Sequence, residues 1–321
     1  CIISEKSFEL YATSLGIVLS NNTWIPISQT SPLERIFEIT QSLKPDLFIL
    51  DNINTLKMLR LKNFLKKNKI DILLFDEIKQ AKPLKEFPKI NFNKKDISMI
   101  FFTSGSTGKS KGVKISQYSY IYSLLEQIKR LYRDKKKLVF GDYHDISFVI
   151  SLNILFPCVY LKGIISPGIQ IKDILFPIEH IRKNNINCLI TVPTNINRIR
   201  NYYKKIIYNS KLKILVLCGE PFYFDLLKYL IKQNIAKEIY NCYGSTELSP
   251  WVFSHKISRQ DLIKYKELAV VPIGKKFKNI KTKIIKNELY IGGPTLCEGY
   301  IIEDQNKKAF VTINNQKFYK T

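Results

Sequence analysis

The sequence has no apolar run approaching the roughly 20 residues that a membrane-crossing helix needs, which excludes a helical span. It has six cysteines (Cys1, Cys158, Cys188, Cys218, Cys242 and Cys297) but no C-x-x-C pair, and no histidine stands at ligand spacing from them. That argues against a zinc site and against a disulfide framework. Three of the cysteines lie inside apolar strand-like runs, as small core residues do in a reducing compartment. No signal peptide is legible, so a cytoplasmic location is expected. Arginine is scarce as well: of 51 basic residues only 8 are Arg, against 27 acidic residues and a net charge of +24. A charge that large invites a nucleic-acid or membrane-surface reading. Base-edge and phosphate readers, however, draw on the planar fork of arginine. Here lysine rises together with Ile and Asn along the whole chain, with its densest cluster at Lys135, Lys136 and Lys137. A solvated lysine-rich surface is the expectation, with no nucleic-acid partner.

What is present is an apolar content of 45% over 321 residues, enough for one large core or two smaller ones. The chain starts on Cys1, in helix-like sequence, and reads as a fragment. Phe8, Tyr11, Ala12, Leu15 and Leu19 have helical period, and Trp24–Ile27 reads as a short strand. Ser31-Pro-Leu-Glu34 reads as a helix start with Ser31 as N-cap and Pro32 first in the helix. Apolar runs follow at Leu47–Leu50, Ile70–Phe75, Ile97–Phe102, Leu138–Phe140, Val159–Ile165, Ile186–Ile190 and Leu212–Leu217. Helical patterns separate most of them, at Tyr118–Leu131, Ile171–Asn184, Ile196–Tyr208 and Phe222–Gln233. Apolar strands alternating with helices predict an α/β fold whose mostly parallel sheets are covered on both faces. Beyond Pro250 the pattern turns to short alternating segments, Lys281–Ile285 and Glu288–Ile291, which predict a small antiparallel β subdomain. The expected division is a core over 1–250 and a β-rich subdomain over 251–321.

The strongest local signal is Thr103-Ser-Gly-Ser-Thr-Gly-Lys-Ser-Lys-Gly-Val113, fed by the buried run from Ile97. Small residues let backbone N–H groups turn inward around an anion, while hydroxyls and lysines add donors and charge. The run misses the P-loop pattern G-x-x-x-x-G-K-S/T by one residue, because Thr103 stands at the first glycine. Gly112–Ser116 also alternates like a strand where a P-loop would open a helix.

This run resembles the phosphate-binding signature of the adenylate-forming enzymes, the superfamily of acyl-CoA synthetases, luciferases and amino-acid adenylation domains. Asn241-Cys-Tyr-Gly-Ser-Thr-Glu247 resembles that family's N-x-Y-G-x-T-E, and Pro272-Ile-Gly-Lys-Lys276 its P-I-G-R-P. Glu288-Leu-Tyr-Ile-Gly-Gly-Pro-Thr-Leu-Cys-Glu-Gly-Tyr300 resembles G-E-L-x-I-x-G-x-x-x-x-G-Y, so the resemblance covers essentially the whole chain. It implies the large N-terminal domain of such an enzyme. The family's Y-x-T-G-D, hinge and C-terminal lid domain would follow Thr321, so the bare chain is expected to bind ATP weakly and to turn over poorly.

The resemblance also implies roles. Thr103, Ser104, Gly105, Ser106, Thr107, Gly108, Lys109 and Lys111 would wrap the β- and γ-phosphates of ATP. Thr246 would hold the α-phosphate and Glu247 would ligate Mg²⁺, while Tyr243 and Gly244 would face adenine, with Asn241 near its amino edge. Asp145, in Gly141-Asp-Tyr-His-Asp-Ile-Ser-Phe148, would bind the α-ammonium of an amino acid, as in the family's F-D-x-S; the alternative is that it merely caps the helix expected near Ser147. Ile146, Val149, Thr191, Val216, Cys218, Cys242, Pro250 and Trp251 would line the rest of a small, mostly apolar acyl pocket. Trp24-Ile-Pro-Ile-Ser28 with Pro32 and Arg35 resembles the Y-V-P-L-D…P-x-x-R-I segment of amino-acid adenylation domains. Cys218-Gly-Glu220 and Phe156-Pro-Cys158 resemble the D-alanine–carrier protein ligase branch. The implied partner is a carrier protein bearing phosphopantetheine. His144 is the family's acyl-CoA ligase residue, which keeps an acyl- or aryl-CoA ligase open, beside a basic nucleic-acid-binding module and an inactive remnant.

Overall fold

In the computed structural model, which describes residues 1–86, 93–103, 110–202 and 212–321, the chain opens on strand β1 (Ile2–Ile3) and not on a helix. Both isoleucines are fully buried, and β1 pairs in parallel with β2 (Leu47–Leu50) at Ile2↔Ile49 and Ile3↔Leu50. A two-residue strand shows no periodicity, so only its burial reveals it. The expected first helix follows over Phe8–Leu19, its N-terminus capped by the Ser7 hydroxyl, which accepts from Leu10 N at 3.1 Å. Trp24 then bridges to Met99, and Pro26 to Ile2. The next helix runs over Leu33–Leu43, so Pro32, at ψ 150°, takes the capping position expected of Ser31. A helix over Leu56–Lys67, not singled out in the sequence, is capped by Thr55 and buries Met58, Leu61 and Leu65. It leads to β3 (Asp71–Leu74), parallel to β2. Ile3, Ile36, Phe48, Leu50 and Leu61 form the core of this part. Two longer strands follow, β4 (Ile97–Thr103) and β5 (Lys111–Ser116), paired antiparallel with Thr103 opposite Lys111.

The chain groups into two compact units, the first holding residues 1–118, 145–148 and 297–320 and the second 119–144 and 149–296 with Thr321. The second is built on seven strands: β6 (Val139–Asp142), β7 (Ile164–Pro167), β8 (Cys188–Thr191), β9 (Leu212–Cys218), β10 (Ala236–Gly244), β11 (Trp251–Lys256) and β12 (Lys275–Lys276). Their order is β12-β11-β10-β9-β8-β6-β7, parallel from β10 through β7 and antiparallel at β11 and β12. The central parallel strands β8 and β9 are mostly apolar because both faces are covered. The boundary expected at residue 250 does not appear as a break, since β11 pairs with β10 from Tyr240↔Lys256 to Gly244↔Trp251. The hairpin expected beyond it is there: β13 (Lys281–Ile285) pairs with β14 (Glu288–Gly292). Its turn residues Lys286 and Asn287 have φ of 50° and 63°, the left-handed pair whose twist suits a two-residue hairpin.

Helices depart from expectation where a short apolar run is ambiguous. Val159 and Tyr160 end the helix Leu152–Tyr160, and β7 starts only at Ile164, after Gly163 N closes the helix on Cys158 O at 2.8 Å. The Ile171–Asn184 pattern is two short helices, Ile171–Leu175 and Ile178–Lys183, separated at Pro177, which has no N–H to continue the first. The helix after β8 covers Pro193–Tyr202, and the rest of the Ile196–Tyr208 pattern lies outside the described residues. On the surface of this unit Glu238 accepts from Lys135 (2.8 Å), Lys256 (3.0 Å) and Tyr240 (2.8 Å). Partial burial pushes its pKa up, but these donors outweigh it and hold the carboxyl at about 2, below its ordinary 4.5. A depressed carboxylate stabilises the fold above its unfolded pKa, and that contribution is lost as pH falls through the folded one. Glu238→Gln is therefore expected to be about 1 kcal/mol less stable than wild type at pH 7. In denaturant melts the gap should close as pH falls from 4.5 to about 2.

The chain then returns to the first unit. Strand β15 (Gly299–Tyr300) pairs antiparallel with β5, Tyr300 opposite Val113. A helix over Glu303–Ala309 and the hairpin β16 (Phe310–Ile313) with β17 (Gln316–Lys320) complete it. All six cysteines are free; Cys1 is half-buried and the other five are buried. Burial pushes the Cys158 thiol up to about 12. A thiol-exchange reagent at neutral pH should label Cys1 quickly and the remaining five only after unfolding. Among the described residues no helix is long and apolar enough to cross a membrane.

Candidate functional site

The flanks of the glycine-rich run are set by strand pairing. The antiparallel register of β4 and β5 puts Thr103 and Lys111 directly opposite each other, while Ser104, Gly105, Ser106, Thr107, Gly108 and Lys109 lie outside the described residues. The segment after the run is a strand, as the alternation of Gly112–Ser116 predicts, so the helix of a P-loop is not there. Lys111 Nζ sits 5.3 Å from the centroid of the buried Tyr300 ring, a cation–π contact that draws it along β15. Gly112 leaves room for that return strand, because a side chain there would run into Ile301 and Phe102.

Asp145 belongs to the same unit. Its Oδ2 accepts from Ser28 Oγ at 2.6 Å, and its Oδ1 accepts from Ser147 N at 2.9 Å and Ser147 Oγ at 2.7 Å. It therefore closes a turn through Ser147, two residues on, and does not cap a helix, since helical structure begins only at Val149. Ile146 beside it is buried, whereas Phe148 is 65% exposed. Val149 opens the 3-10 turn that leads into the helix at Leu152.

In the second unit the remaining candidates gather at the carboxyl ends of the central strands. Asn241, Cys242, Tyr243 and Gly244 finish β10. Asn241 Nδ2 donates to the carbonyls of Val271 (3.3 Å) and Pro272 (3.1 Å), tying this strand to Pro272-Ile-Gly274. The Tyr243 ring lies edge-on to Phe253 at 6.0 Å. Thr246 and Glu247, both buried, form a single 3-10 turn, and Ser249 leaves it with φ 57°. Gly244 is required by close approach, because a Cβ there would overlap the Pro250 carbonyl and lie 2.8 Å from Trp251 Cα.

The helix Gln117–Leu131 supports this turn by a device that the sequence reading missed. The Ser119 and Ser249 hydroxyls are 3.2 Å apart, Ser123 Oγ donates to Trp251 O at 3.2 Å, and Gln127 Nε2 donates to Ser123 Oγ at 3.1 Å. Glu126 accepts from Lys278 N at 3.1 Å and Arg130 donates to Lys276 O at 2.7 Å. The available signal was the four-residue spacing of Ser119, Ser123 and Gln127 on an otherwise apolar helix face.

Val216, Cys218 and Cys242 share a sheet face, because Cys242 pairs with Cys218 and strand side chains alternate. Thr191 pairs with Leu217, which puts it on the opposite face, where its Oγ1 accepts from Asn195 at 3.0 Å. Burial pushes the Cys218 thiol up to about 12, although the side chain of Trp251 hydrogen-bonds it in the opposing sense. Burial raises the Cys242 thiol too, with Cys218 adding to the effect. His144, the residue that kept a CoA ligase open, has its Nε2 3.0 Å from the Ile190 carbonyl.

The chain is 25% identical over 330 residues to the D-alanine–D-alanyl carrier protein ligase of Lactococcus lactis subsp. lactis, covering all of this chain and 63% of that protein. It thus spans somewhat less than two thirds of that relative's length. It is 24% identical over 339 residues to Bacitracin synthase 2 of Bacillus licheniformis, covering 12% of that much longer protein. Its fold is similar to the Vibrio cholerae adenylation domain AlmE in complex with glycyl-adenosine-5'-phosphate, with a TM-score of 0.80, 19% identity, and coverage of 100% of this chain and 66% of that one. The Klebsiella oxytoca NpsA N-terminal subdomain gives a TM-score of 0.81 at 20% identity, covering 100% of this chain and 82% of that one. Residues 1–301 match the family described as AMP-binding enzyme, and the chain belongs to that family.

Proposed function

We propose that the full protein activates an amino acid by adenylation and passes it to a phosphopantetheinyl carrier protein. The substrate carboxylate attacks the α-phosphorus of ATP, forming aminoacyl-AMP and releasing pyrophosphate; a carrier thiol then displaces AMP to give the thioester. The observation that carries this reading is the Asp145 carboxylate, held by Ser28 and Ser147. An ionised group beside an aliphatic acyl chain would be an unpaired charge, whereas an α-ammonium pairs it.

The other roles are those that the family resemblance implies. Thr103 and Lys111, with the run between them, hold the β- and γ-phosphates, and the lysine charge stabilises the leaving pyrophosphate. Thr246 holds the α-phosphate, and Tyr243 and Gly244 receive the adenine. Glu247, a buried carboxylate in a tight turn, suits Mg²⁺, which takes one or two carboxylates plus phosphate oxygens and neutralises charge on the triphosphate when bound. Cys218, Cys242 and Val216, small and apolar on one sheet face, suit a small uncharged side chain. D-Alanine is the first candidate, because Cys218-Gly-Glu220 resembles that branch and the L. lactis relative is a D-alanine ligase.

The test is amino-acid-dependent ATP–pyrophosphate exchange by the full-length protein across a panel including D-alanine, L-alanine and glycine. Asp145→Ala is expected to lower the exchange by at least about 100-fold, as loss of a desolvated charge pair does. Equal activity with a fatty acid, unaffected by that substitution, would instead establish the acyl-CoA ligase that His144 represents.

A further inference from the structure

The Asp145 carboxylate has two oxygens with about four acceptor directions in all. Two on Oδ1 are taken by Ser147 N and Oγ, and one on Oδ2 by Ser28 Oγ at 2.6 Å. One acceptor direction on Oδ2 is left for an incoming donor. Ser28 is 117 residues away in sequence, yet its place is firmly set. Ile27 N donates to Ile2 O at 2.9 Å, Trp24 N to Ser98 O at 2.9 Å, and Ile100 N to Trp24 O at 3.0 Å, so the segment is held between β1 and β4. The hydroxyl itself is oriented: Thr30 N donates to Ser28 Oγ at 3.2 Å, and Thr30 Oγ1 lies 2.8 Å from it. With its oxygen engaged by Thr30, the single Ser28 hydrogen points at Asp145.

We propose that Ser28 is a positioning residue for substrate selection: its hydroxyl fixes the Asp145 carboxylate so that Oδ2 offers one acceptor to an α-ammonium, and discrimination between an amino acid and its des-amino carboxylic acid depends on it. The inference rests on the role given to Asp145 above. Without the Ser28 donor, Oδ2 has two open directions and the carboxylate loses the contact that fixes its tilt. The ammonium then binds less well, while a carboxylic acid without an amino group, which makes no bond to Asp145, is unaffected.

The experiment measures exchange kinetics of the full-length protein with its best amino acid and with the des-amino analogue of the same acid (D-alanine against propionate, if D-alanine is best). Ser28→Ala is expected to raise KM for the amino acid about ten-fold, with kcat and the kinetics of the des-amino acid nearly constant, as loss of one hydrogen bond to a charged group does. The preference ratio falls by the same factor. Ser28→Thr, which keeps the hydroxyl, restores the ratio to within about three-fold, and Ser28→Cys, a weak donor, falls between. If Ser28→Ala does not fold, the Thr and Cys pair carries the test in the same order. Equal losses for both substrates, or no change in the ratio while Asp145→Ala collapses it, would overturn the role of Ser28 and leave that of Asp145 standing. A ratio unaffected by Asp145→Ala would remove both.

Discussion

Replacing Gly244 by alanine is expected to abolish amino-acid-dependent exchange and to lower the thermal midpoint by several degrees. The cause is steric and local. A methyl at this position meets the Pro250 carbonyl and the Trp251 Cα, which are backbone atoms and cannot rotate away as a side chain can. Overpacking against side chains costs about 1–3 kcal/mol, and against backbone the upper end applies. At this chain length that is a drop of roughly 4–5 °C. The displaced segment is the turn that carries Thr246 and Glu247, and its alternative positions are closed off by Ser123 on Trp251 O and by Ser119 against Ser249. Strain at Gly244 therefore moves both candidate ligands of the triphosphate. Circular dichroism melts and exchange rates of the same variant check the two halves of the expectation. A variant that melts like wild type and keeps its rate would mean that the β10–β11 connection slides freely.

The second large effect is expected at Glu247. Glu247→Gln keeps the shape of the side chain, removes its charge and turns one acceptor oxygen into an N–H donor. On the proposed reading, exchange falls by about 100- to 1,000-fold, the loss typical of removing one electrostatic stabiliser from a water-poor site, while the melt stays within a few degrees of wild type. A chelator should abolish the residual wild-type activity, and higher Mg²⁺ should recover part of the variant's. Full activity of Glu247→Gln at ordinary Mg²⁺ would remove this residue from the metal's coordination.

Much of this was legible along the chain because glycines, hydroxyls and an acid stood in short contiguous runs. The Thr103–Val113 and Asn241–Glu247 runs each lie at strand ends, where backbone conformation and chemistry are both written locally. What could not be read were relations between distant segments. Ser28 looks like an ordinary loop serine until the fold brings it to Asp145. Ser119, Ser123 and Gln127 look like solvent-facing interruptions of an amphipathic helix, yet each is buried and bonded. Thr191 sits in the expected strand but one residue out of phase with the face that holds Val216 and Cys218, and a single register step decides the face. Val159 and Tyr160 were misplaced for a simpler reason: five apolar residues around a Lys-Gly pair fit a helix end and a strand equally well.

The pairing of Gly299–Tyr300 with Lys114 and Val113 has a consequence for synthesis. The sheet of β4 and β5 remains one strand short, and the first unit lacks its last helix and hairpin, until the ribosome has passed the entire second unit, which is nearly continuous in sequence over 119–296. The second unit can therefore complete its own sheet during translation, while the hairpin carrying Thr103 and Lys111 waits for its edge to be covered. Closing so long a loop is slow because distant segments must meet before any contact rewards them. The glycine-rich run thus stands beside an unpaired strand edge for longer than any other part of the site, and a nascent chain stalled before residue 299 would expose that edge to whatever could add a strand to it.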